Sequence, residues 1–203
     1  TMIKGNTQGI KEHILDELVK IYDIVTDKGV IAHPEIMELI VRTTSKINRE
    51  ISVAINRKGK VIDISIGDSN TATLPNVGEF KNKLCGVRII HTHPNSSSKL
   101  SNVDISALLT LKLDVMAAIG IENEKINGIS FGFCKFIDKE LTYEITPPLD
   151  IDDALDYDLT QKFNQIEKEF REKIDYNIPK KIFNEIINEV NSKDDVNKIL
   201  HFD

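Results

Sequence analysis

Thiols, basic charge and long apolar runs are all scarce in this chain, and each scarcity removes a class of function. Only Cys85 and Cys134 occur among 203 residues, each in an apolar setting. Two such cysteines make no disulfide framework, so a reducing compartment with two buried thiols is expected. Lys and Arg number 26 against 32 Asp and Glu, for a net charge of −6. Without a basic excess the chain has no electrostatic reason to grip a phosphate backbone, and direct nucleic-acid binding is not expected. No apolar run approaches the roughly 18 residues of a membrane span, and the N-terminus lacks a basic-then-apolar leader pattern. A cytoplasmic location away from membranes is the expectation. Internal repeats, low-complexity tracts and a Gly-rich loop ending in Gly-Lys-Ser or Gly-Lys-Thr are also missing, so no nucleotide site of that type is expected.

What is present suffices for a folded core. With 40% hydrophobic residues, the chain can form one domain of average size, or one domain with a helical appendage. Thr1 ahead of Met2 reads as a residue left by tag removal, so a natural end at Asp203 is not assumed.

Periodicity divides the chain into two helices, an α/β middle and a helical tail. Ile10, Ile14, Leu18, Ile21 and Tyr22 share one helical face, as do Ile36, Leu39, Ile40, Thr43 and Ile47, with Pro34 in a first turn. Two β-branched runs about a Lys-Gly predict a hairpin from about Ile51 to Ile66. The stretch "TATLPNVGEFKNKL" reads as a loop or short edge strand and "CGVRIIHTH" as a buried strand. Residues 101 to 113 read as a helix with Val103, Ala107, Leu108 and Leu111 facing inward. The runs "VMAAIGI", "GISFGFCKFI" and "ELTYEIT" predict further strands, closed by Pro147 and Pro148. The fold class expected is α+β, a mixed sheet with flanking helices. A boundary is placed near residue 150, separating 1–150 from a tail, 151–203. There "DIDDALDYD" reads as a solvated face or linker, followed by an amphipathic helix bearing Phe163, Ile166 and Phe170 and by another helix, "IPKKIFNEIINEVN".

The chemistry concentrates in "RIIHTHPNSSSKLSNVD". Strand residues i and i+2 point to the same side, so His91 and His93 project their imidazoles together from a strand end. After a loop from Pro94 to Leu100, Ser101 stands where a helix N-cap is expected and Asp104 in the first turn, able to point back. Two neutral imidazoles and a carboxylate suit Zn²⁺, and three protein ligands leave a fourth position for water, as in catalytic rather than structural zinc sites. Taken alone, Ser101 and Asp104 read first as plain helix capping, and capping is compatible with catalysis.

His91-x-His93, seven residues beginning with Pro94, Ser101, two more residues and Asp104 resembles the signature of the JAMM (MPN+) metalloprotease domain, which includes ubiquitin isopeptidases and bacterial RadC-like proteins. The resemblance covers roughly residues 33 to 146. It implies zinc on His91, His93 and Asp104, oxyanion stabilisation by Ser101, and acid/base work by an upstream Glu at the start of an early strand, where Glu50 stands. It also implies a fold similar to that of cytidine deaminases. Without the motif, Glu50 reads as an exposed strand-edge charge paired with Lys46 or Arg49.

A narrower resemblance joins "INREISVAINRKGKVIDISIGDS" and "GVRIIHTHPNSSSKLSNVDISALL" to the N-terminal extension of some bacterial HflX-type GTPases, which associate with ribosomes. It implies a fragment whose GTP-binding part, and with it any ribosome contact, lies outside this chain. Three readings therefore stand: a zinc peptidase or isopeptidase acting on an unidentified peptide or protein, a regulatory module of an HflX-like GTPase, and a metal-free scaffold. His13 reads as a surface residue, His33 as helix-flanking and His201 as part of a frayed end. "RKGK" at 57–60 reads as a polar hairpin tip, and "NSSSK" at 95–99 as a polar loop beside the zinc.

Overall fold

The computed structural model describes residues 2–67, 86–172 and 176–189. The expectations for 71–84, Cys85 and His201 lie outside these residues. The described chain is mixed α+β, built on a seven-stranded mixed sheet with six α-helices. The strands are β1 Ile3–Gly5, β2 Ile51–Asn56, β3 Val61–Ile66, β4 Val87–His93, β5 Val115–Glu122, β6 Lys125–Ile137 and β7 Glu140–Ile145. Their order across the sheet is β1-β3-β2-β4-β5-β6-β7. Only β1 with β3 and β4 with β5 run parallel. Among the described residues no helix is long and apolar enough to cross a membrane.

The helices cover both faces. Helices α1 (Glu12–Val19) and α2 (Pro34–Ile47) pack with Ile51, Val53, Ile90 and Phe131 in one core layer. Pro34 opens α2 behind His33, whose ring accepts from the Glu35 amide, and Asn48 closes it in the left-handed region at φ 53°. Helix α3 (Asn102–Thr110) packs on the other face with Ile89, Met116 and Cys134. Each fully buried Ile or Leu in these layers contributes about 1.5–3 kcal/mol to holding the helices on the sheet.

Two details differ from the sequence reading. Val103 does not face inward: it is 37% exposed. Residues 104–109 are all buried, so a one-sided apolar pattern does not describe α3, and in its first turn Val103 is the exposed position. Arg57 is more than a polar hairpin tip. Its guanidinium makes two hydrogen bonds, of 2.9 and 2.7 Å, to the buried Asp114 carboxylate and lies 3.3 Å from Glu167. The neighbouring Arg88, 1% exposed, donates to the carbonyls of Val30, Ile31 and Asn56.

The segment after residue 150 returns to the sheet. Helix α4 (Ile151–Asp156) is capped by Asp150, keeps its acids in solvent and buries Ala154. Helix α5 (Thr160–Arg171) buries Phe163 and Ile166, and Arg88 lies over the Phe163 ring. Helix α6 (Lys180–Glu189) lies beside α3, where Asn102 donates to the Glu185 carbonyl.

Candidate metal centre

All seven residues of β4 are buried, and the strand alternates between the two faces. Ile90 and Thr92 turn towards α2, while Ile89, His91 and His93 turn towards α3. The strand ends at His93 and the chain returns through a loop to Ser101, the N-cap of α3. Ser101 and Asp104 form a full capping box: Ser101 Oγ accepts from the Asp104 amide at 3.1 Å and Asp104 Oδ2 accepts from the Ser101 amide at 2.9 Å. The same Oδ2 lies 3.1 Å from His91 Nε2. Capping therefore aims the carboxylate at the histidines rather than away from them.

His91, His93 and Asp104 each offer one ligand atom, and these atoms all lie within 4.8 Å of one another. All three residues are buried. This group could hold a metal ion, and the ring environments favour it. His93 Nδ1 lies 2.6 Å from the Ser97 carbonyl, an acceptor only, so Nδ1 carries the proton and Nε2 keeps its lone pair. His91 Nδ1 is buried without a hydrogen bond of normal geometry, though the Ala117 carbonyl favours its protonation. Its Nε2 faces Asp104. Two Nε2 atoms and a carboxylate oxygen are a donor set for a borderline cation such as zinc, with the His93 imidazole tethered at its far nitrogen by the Ser97 carbonyl.

The charges are coupled. Burial presses the His91 pKa down, but the Asp104 carboxylate more than offsets this and holds it above the ordinary value. Asp104, despite its own desolvation, is held below the usual carboxylate range by His91 and the Ser101 amide. His93 is lowered by burial and by its charged neighbour, which keeps it neutral and ligand-ready.

Glu50, immediately before β2, is brought to the same place. It is 5% exposed, with Oε1 3.9 Å from His93 Nε2. Desolvation is the main cause that pushes its carboxyl up to about 7, with His91 opposing and Asp104 adding. The alternative of an exposed strand-edge charge paired with Lys46 or Arg49 does not hold, because Glu50 is buried and Arg49 donates instead to the carbonyls of Asn6 and Gln8. All five residues singled out in the sequence thus converge: His91, His93, Asp104 and Glu50 are buried around one point, and Ser101 is exposed at its rim. His33 is the N-cap of α2 and His13 is exposed, both away from this group.

Thr92, between the histidines, escaped the sequence reading. Its Oγ1 accepts from the Ile51 amide at 2.9 Å and shares a 2.6 Å hydrogen bond with Thr44 Oγ1 of α2. It thereby fixes the backbone next to Glu50. The available signal was a polar residue alternating with Ile90 and so placed on the apolar face of β4 opposite the histidines.

No family model and no curated protein matches this chain. A His-His-Asp group of this kind occurs on unrelated folds, so it speaks for metal binding without naming a family.

Proposed function

We propose that this chain is a zinc-dependent hydrolase of the JAMM type, RadC-like in its motif, that cleaves an amide bond in a peptide or protein. The observation that carries the reading is the convergence of Glu50, with its raised pKa, on the buried His91-His93-Asp104 group. Zinc, when bound, would supply Lewis acidity, activating a water and polarising the scissile carbonyl. Glu50 titrates near neutrality, where a carboxyl can both take the proton of the attacking water and return it to the leaving amine. Ser101 Oγ accepts from the Asp104 amide, so its hydroxyl hydrogen stays available for a developing oxyanion. Asp104 and the two histidines complete three protein ligands, with a fourth position left for chemistry.

A second reading, a regulatory module like the one preceding the GTP-binding domain of HflX-type proteins, draws on the near-complete burial of the group: His91 is 1% and His93 8% exposed. A deeply buried metal suits a structural or sensing role as well as turnover. In that reading any ribosome contact belongs to a separate GTPase portion.

The test is metal content by plasma emission on untagged protein purified without chelator, followed by assay against peptide and isopeptide libraries. The expected result is about one zinc per chain, lost in His91→Ala and retained in Glu50→Gln, with cleavage lost in both. No zinc after incubation with the ion would discard the hydrolase. Zinc without cleavage of any peptide would favour the module.

A further inference from the structure

We propose that Gly120 and Asn127 are positioning residues for His93, acting through the backbone of the loop that follows β4. The metal half of this inference rests on the reading above; the ring-orientation half does not.

The argument begins with register. Gly120 on β5 is the direct partner of His93 on β4, and Gly128 on β6 is the partner of Gly120. Over these glycines the loop carrying Ser96, Ser97 and Ser98 crosses the sheet. A Cβ built at Gly120 would stand 2.6 Å from the Ser96 carbonyl oxygen and 2.9 Å from both Ser97 C and Ser98 N. These are backbone atoms, which cannot swing aside as a side-chain tip can. The conformation of Gly120 is one that any residue adopts, so close approach alone requires glycine here. Asn127 completes the seat by donating from Nδ2 to the Ser96 carbonyl at 2.8 Å.

What this seat holds is the next carbonyl. Ser97 O lies 2.6 Å from His93 Nδ1 and determines which ring nitrogen bears the proton. A methyl at Gly120 would push the Ser96–Ser98 backbone by several tenths of an ångström, which lengthens and re-aims the Ser97 carbonyl at His93 Nδ1 and so weakens the bond that sets the tautomer. Gly128 provides an internal comparison. A Cβ there meets Ser98 Oγ at 3.1 Å and Pro148 Cβ at 3.4 Å, and a hydroxyl can rotate away.

The experiment measures the His93 tautomer by long-range ¹⁵N–¹H NMR on metal-free protein, and zinc affinity by chelator competition. Gly120→Ala, Asn127→Ala and Gly128→Ala are compared with the parent chain, with thermal melting as the check of folding. The parent and Gly128→Ala should hold His93 as the Nδ1–H form, whereas Gly120→Ala and Asn127→Ala should show mixed tautomers. Zinc affinity should fall on the order of 10–100-fold in those two variants. If Gly120→Ala does not fold, Asn127→Ala decides. Folded variants with the parent tautomer and parent affinity would overturn the proposal. If the parent itself binds no zinc, the hydrolase reading fails, while the tautomer comparison still decides this one.

Discussion

Oδ2 of Asp104 lies 3.1 Å from Nε2 of His91, and the same oxygen caps helix α3 through the Ser101 amide. One atom thus serves the helix and the metal group together. Because Asp104 holds the His91 pKa above its ordinary value, a cation would compete with a proton at this pair.

That double use separates two substitutions. Asp104→Asn keeps an oxygen for the Ser101 amide but loses the charge, whereas Asp104→Ala loses both. Zinc content should drop in each, while only the alanine variant should lose the cap, being less stable than Asp104→Asn by about 0.5–2 kcal/mol. Urea melts beside metal analysis test this; equal stability of the two variants would show that the cap contributes nothing.

The raised pKa of Glu50 fixes a pH dependence. Its folded value, about 7, exceeds the ordinary 4.5, so the folded chain holds this proton more tightly than the unfolded chain. Stability from this group is present below pH 4.5 and is lost as pH rises through 7. Glu50→Gln, neutral throughout, escapes the loss. In chelator, Glu50→Gln should match the parent at pH 4 and exceed it at pH 8 by on the order of 1–3 kcal/mol. Melting curves at the two pH values give the answer, and a gap that is larger at pH 4 would refute the burial argument.

Metal should stabilise the fold by mass action. Free zinc at 100 times its dissociation constant should add about 2.7 kcal/mol, reversed by chelator and absent in His93→Ala. Because a ligating His91 must be deprotonated and Asp104 raises its pKa, the gain should shrink on acidification. Calorimetric melts with and without zinc report both effects; equal gains in His93→Ala would place the ion elsewhere.

Thr92→Val removes the acceptor of the Ile51 amide within a buried strand pair. A cost of about 1–3 kcal/mol is expected, since the amide is left without a partner. Zinc content should hold, because His91 and His93 face the other side of β4, while turnover should fall with the displacement of Glu50. An unchanged urea midpoint would remove Thr92 from the account.

The local parts of this arrangement were legible in the sequence because their causes are local. Alternation in "RIIHTH" put His91 and His93 on one face, the Lys-Gly turn marked the β2–β3 hairpin, and Ser101 with Asp104 announced the helix start. What was hidden depends on pairing between distant segments. Strand β1 is three residues of no distinctive pattern, Ile3 to Gly5, recruited by running parallel to β3. Arg57 reads as a turn residue until Asp114 is folded against it. Gly120 and Asn127 carry no signature at all, because what they accommodate is backbone from another part of the chain. The inward set of α3 was misjudged at Val103, where amphipathic periodicity fails in a helix covered on nearly every side.

The crossover from β4 to α3 has a consequence for the order of assembly. His91 and Asp104 are 13 positions apart, so closing the ligand set restricts only a short length of chain and costs little loop entropy. Glu50 arrives from a different stretch, by the pairing of β2 with β4. The three candidate ligands thus belong to one strand–loop–helix unit, while the Glu50 carboxyl joins them only once the hairpin has docked. Loosening of the sheet between β2 and β4 would separate Glu50 from the three candidate ligands while leaving those three together.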